Sequence, residues 1–223
     1  MPPRMSKLLA ILRRMKPSDY ALDLLAFAGT VTLALVFRWQ ARDLIWSLWI
    51  SSLSFGFVWM FTAYICALVF VPGKAKLAVV AGGLFLMAFF TFHFGMFHMV
   101  HGAFLNEFFP LSPGIRGGMP SILTLAGTAL AAYWPFVLMT LISRARDFPL
   151  GHKAMAGSSV MFQPYLNVIR MHILIFVFAG LQFAHLAHFA LFPILLFYFF
   201  PWRVFNRERK GLASEAARAQ SDR

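Results

Sequence analysis

Three of the chain's 7 histidines, His93, His98 and His101, stand in one apolar run, Leu77 to Leu105. Three more, His172, His185 and His188, stand in a later apolar run, Pro164 to Phe200. An imidazole can ligate a metal, carry a proton, or donate and accept hydrogen bonds. Ionisable groups are expensive inside a bilayer, so at that depth they mark functional candidates.

Spacing decides which of them can act together. His93 falls near the middle of its run and His172 eight residues past Pro164, about 12 Å into the fifth span, so the two form a middle layer. His98 and His101 fall toward the outer end of their run, and His185 and His188 at the outer turn between the fifth and sixth spans, so the four form an outer layer. His93 and His101 are eight residues apart, about 12 Å along a helix, too far for one ion with bonds of ~2 Å. His98/His101 and His185/His188 are each spaced by three, so each pair shares one side of a helix. Two such pairs facing each other would make the halves of a metal site, with Glu107 as a further ligand or an orienting group. Imidazole ligation suits zinc, copper or iron better than magnesium or calcium. A b-type haem between His93 and His172 is physically allowed, although no second axial pair accompanies it. The plainer alternatives are outer histidines hydrogen-bonded at a wet interface and, for the middle pair, two buried neutral imidazoles bonded to backbone or to each other.

The elements that carry these residues are membrane helices. The chain is 60% hydrophobic and 13% charged, where a soluble domain averages nearer a quarter charged. Several runs reach the roughly 20 apolar residues that a spanning helix needs. Alternating strands with aromatic girdles, the signature of a membrane barrel, are absent. The expected fold is an all-α polytopic transmembrane bundle of about six spans, near 20–37, 44–71, 77–105, 121–142, 164–182 and 187–203. Residues 1–19 and 205–223 are basic tails flanking this membrane domain. A single kinked helix over 164–200 is the alternative to the last two spans, because Gly180 to His188 is a polar turn without a clear breaker.

Charge sets the orientation. With six spans, 16 Lys and Arg lie on the side of the two tails, and Arg38, Arg42 and Arg116 lie on the other. The positive-inside rule then places both termini in the cytoplasm of a bacterial inner membrane. The net charge of +12 therefore reports topology and gives no reason to expect nucleic acid as a partner. The expected partners are the lipid bilayer and other membrane subunits. Cys66 is the single cysteine, which excludes an intrachain disulfide and a thiolate cluster. The basic start leads into a span-length run without a cleavage pattern, so no cleaved signal peptide is expected. No phosphate loop, Gly-x-Ser-x-Gly elbow or His-Glu-x-x-His motif occurs.

Two motifs add a resemblance. His93-Phe94-Gly95-Met96-Phe97 with His101-Gly102-Ala103-Phe104, and then Pro164-Tyr165 with His172 seven residues later, resemble the bacterial membrane family labelled domain of unknown function 6498. The likeness covers about residues 20–205 and implies His93, His101 and His172 as the site residues. His98, His185 and His188 lie outside that pattern. Phe94 stands where the family usually has tyrosine, and Asn167 where it has arginine, with Arg170 one turn on. Ser51, beside Trp49, stands where an acidic residue is usual. The family label brings no activity with it.

Three functions fit these residues. One is a membrane metal-binding protein or metalloenzyme using His93, His101 and His172. Another is a proton-linked transporter, which six spans without an inverted repeat do not favour. The last is an accessory subunit of a membrane assembly with structural histidines.

Overall fold

The computed structural model describes residues 18–112, 120–151 and 158–186. These form five α-helices: α1 Ser18–Val36, α2 Ala41–Phe70, α3 Lys76–Phe108, α4 Ile122–Ser143 and α5 Ser158–Phe183. Short 3-10 turns at Gly73–Ala75 and Ala145–Asp147 follow α2 and α4, and no strand occurs among the described residues. Three helical stretches, Arg42–Phe70, Gly73–Phe108 and Ile122–Ser143, are long and apolar enough to cross a membrane. The described residues are thus all helical, with three helices fit to cross a membrane, as in a membrane protein. α1 and α5 are less apolar, α1 opening on Asp19 and Asp23 and α5 carrying Gln163, Asn167, Arg170 and Gln182.

The bundle is centred on α2. It packs against α3, α4 and α5, while α1 packs against α4. Every residue from Leu44 to Leu53 is buried, so this part of α2 has no lipid-facing side. Hydropathy cannot single it out, because α3 is equally apolar in sequence. α3 instead buries a narrow stripe of Phe90, Phe94, His98, Gly102, Leu105 and Asn106, and exposes much of the rest.

Apolar helices gain little from one another in lipid, so packing and hydrogen bonds must hold them together. The three tryptophans of α2 supply such bonds. The indole N–H of Trp46 donates to the carbonyl of Phe109 at 2.7 Å, that of Trp49 to His98 at 3.0 Å, and that of Trp59 to Val160 at 2.8 Å. Close approach requires glycine at the crossings. A Cβ on Gly56 would collide with the ring of Phe94, and one on Gly102 would lie 2.9 Å from Leu125 Cδ1 and 3.0 Å from Trp49 Cζ2.

The ends are tied locally. Asp43 accepts from the Gln40 backbone N–H at 2.9 Å, and its carboxylate suits the positive end of the helix dipole. Its other oxygen accepts from the hydroxyl of Tyr133 at 2.8 Å. Tyr133 has non-helical angles (φ −123°, ψ 18°), two residues before Pro135, which has no N–H to continue the ladder. That kink delivers the phenol to Asp43. α5 ends at Phe183, and His185 follows in the left-handed region at φ 56°. His188 and the sixth apolar segment lie outside the described residues.

Candidate functional site

Residues four apart on a helix lie one above another. Two such rows of rings run along α3. The first is Phe90, Phe94 and His98, with centroids 4.5 and 4.3 Å apart. It faces α2 and is completely buried. His98 Nδ1–H donates to the carbonyl of Phe94 at 3.0 Å, and Nε2 faces the hydroxyl of Ser52 at 3.3 Å. A carbonyl only accepts, so the proton of the neutral ring sits on Nδ1 and Nε2 accepts from Ser52. Both nitrogens are occupied. His98 is a structural post between α3 and α2.

The second row is Phe89, His93, Phe97 and His101, with successive centroids 5.4, 5.1 and 6.4 Å apart. It turns toward α5. His93 Nδ1 lies 2.8 Å from the hydroxyl of Tyr165. One rung higher, His101 meets His172 edge to face, with ring centroids 4.0 Å apart. His93 to His101 is eight residues and Tyr165 to His172 is seven, rises of about 12 and 10.5 Å. The near-equal rises give two rungs between helices that run in the same direction.

The upper rung brings two imidazoles into contact. His172 Nδ1–H donates to the carbonyl of Val168 at 2.8 Å, which leaves Nε2 with its lone pair free. His101 Nδ1 is buried without a well-formed hydrogen bond, although the ring interacts with the carbonyl of Phe97 one turn back. Buried polar atoms without partners are rare and call for a physical reason such as a ligand or ion. Ser51 Oγ is the other such atom among the described residues. It sits on α2, fully buried.

The outer-layer arrangement does not form within the described residues. His98 and His101 are directed at different helices, α2 and α5, because a spacing of three leaves them about 60° apart. His185 is exposed beyond the end of α5, and Glu107 is exposed on α3. No group of three or more His, Cys, Asp or Glu side chains that could hold a metal ion occurs among the described residues. His93 is paired with Tyr165 and does not join His101 and His172. A metal here would have two protein ligands, His101 and His172, with its remaining positions open. Arg170, two residues before His172, is exposed on another face of α5.

Tyr165 and Ser52 were not singled out as site residues by type and spacing. Tyr165 stands two turns before His172, and Ser52 lies in a serine-rich patch of an apolar span, Ser51-Ser52-Leu53-Ser54. Each was a readable signal for a polar contact.

Fold and site together define a class: an all-α membrane protein in which imidazoles and a phenol bridge two helices. Within that class the chain belongs to the family of unknown function DUF6498, whose model matches residues 12–200. No curated protein and no solved structure matches the chain.

Proposed function

We propose that this is a six-span protein of the bacterial inner membrane, with both termini cytoplasmic, that holds a transition-metal ion on His101 and His172. The observation that carries the reading is the pair itself, two imidazoles in contact on facing helices, with Nδ1 of His172 held by backbone and Nδ1 of His101 buried without a well-formed hydrogen bond. Val168 fixes the orientation of the His172 ring, as an outer partner does for a metal-bound imidazole. Two imidazoles suit zinc, copper or iron, and the open positions leave room for water or a substrate. A shared ion requires the rings to part from their present edge-to-face contact. Metal would be loaded into stripped protein and counted. About one equivalent of zinc, copper or iron, lost in His101→Ala and in His172→Ala but kept in His98→Gln, is expected.

The orientation rests on the excess of Lys and Arg on the side of the two tails. Reporter fusions at each terminus test it, and a periplasmic signal from either would overturn the six-span topology. A second reading, an accessory subunit with structural histidines, is favoured by His98, whose two ring nitrogens are both satisfied inside the protein. Metal-free protein that copurifies with a partner would select it.

A further inference from the structure

The lower rung, His93 with Tyr165, has no part in the metal reading and carries a separate inference. A phenol is the better donor and an imidazole nitrogen the better acceptor, so Tyr165 donates to Nδ1 of His93. The proton of the neutral ring then sits on Nε2. No group among the described residues accepts from it, and His93 is only half-buried. Phe89 stacks on the imidazole at an interplanar angle of 12°, and Phe97 meets it edge-on. Phe89, Phe97 and Met96 around it are 45%, 40% and 42% exposed. The result is an N–H donor set among partly open flat rings.

Depth restricts what can meet that donor. His93 lies 17 residues from the start of α3 and 15 from its end, about 25 and 22 Å along the axis. The ester carbonyls of phospholipids lie at the edges of a hydrocarbon core about 30 Å thick, so they do not reach it. Beyond the described residues, the acceptor that suits this level is a molecule that dissolves in the acyl chains and brings a polar atom with it. Neighbouring aromatic faces favour a planar ring for that molecule.

We infer that His93, Tyr165, Phe89 and Phe97 form a binding site for a membrane-dissolved quinone, with a ring carbonyl accepting from His93 Nε2–H and the ring packed on Phe89. The assignment concerns binding alone and includes no electron transfer. It is independent of the His101–His172 metal.

The test uses the full chain in lipid nanodiscs and a decyl-tailed 1,4-benzoquinone as the probe, with binding followed by equilibrium dialysis. Saturable binding is expected, weakened about tenfold in His93→Leu, the effect of losing one hydrogen bond in an apolar site. Tyr165→Phe keeps the ring packing but frees the imidazole tautomer, and should weaken binding about threefold. It serves as the second variant if His93→Leu loosens α3 from α5, which a thermal melt would reveal. An aliphatic ketone of matched length should bind at least about tenfold more weakly, because it cannot stack. Absence of saturable quinone binding would overturn the site. So would unchanged affinity in a folded His93→Leu or in Tyr165→Phe, or a ketone that binds as tightly as the quinone.

Discussion

His101 and His172 meet edge to face with ring centroids 4.0 Å apart, and they join α3 to α5 at one level of the bundle. His101 has a buried Nδ1 that makes no well-formed hydrogen bond, while His172 has its Nδ1 fixed by the carbonyl of Val168. His98, three residues from His101, is fully satisfied and faces a different helix. Neighbouring histidines on one helix thus meet different helices.

The structural role of His98 predicts a stability effect separate from any ligand. Ser52→Ala removes the donor to Nε2 and leaves a buried acceptor unsatisfied, a loss of about 1–2 kcal/mol. His98→Ala removes both bonds and opens a cavity beside Phe94, and should cost about 3 kcal/mol. Unfolding in mild detergent measures both. Equal stability of Ser52→Ala and the parent chain would contradict the assigned bond.

Close approach of α2 and α3 depends on Gly56 and Gly102. Gly56→Ala places a methyl group against the ring of Phe94, which cannot move far because it is buried against Phe57, Phe90 and Tyr165. Destabilisation of about 1–3 kcal/mol follows from overpacking. Gly82 has open space at its Cβ, so Gly82→Ala should be neutral within about 0.5 kcal/mol. The contrast between the two variants is the measurement.

The kink of α4 depends on Pro135 and is held by the bond from Tyr133 to Asp43. Tyr133→Phe deletes a charge-assisted hydrogen bond at a half-buried carboxylate, for a loss of about 1.5–3 kcal/mol. Thermal melting should register it, and Asp43→Asn should behave similarly. A Tyr133→Phe variant as stable as the parent would mean that the kink stands without this bond.

Much of this architecture is readable from the chain. Long apolar runs broken by Arg38–Asp43, Pro72–Lys76 and Pro110–Pro120 mark where the first four helices start and stop, since charge and Pro/Gly end apolar helices. The choice of α2 over α3 as the central element was not readable. Both are apolar all round, and only packing reveals that residues 44–53 face protein on every side. Within the site, the motif spacing brings out His101 and His172. The separation of His98 from His101 follows from a rotation of about 60° whose meaning depends on where α2 and α5 lie. The indole bonds from Trp46, Trp49 and Trp59 end on backbone carbonyls, which leave no trace in a sequence.

The most direct test of the central claim is the metal-to-protein ratio of the parent chain, His172→Ala and His98→Gln, purified side by side in mild detergent from metal-replete medium. The account predicts about one equivalent of one transition metal in the parent and in His98→Gln, and close to none in His172→Ala. Metal-free parent protein, or metal retained in His172→Ala at the parent level, would contradict it.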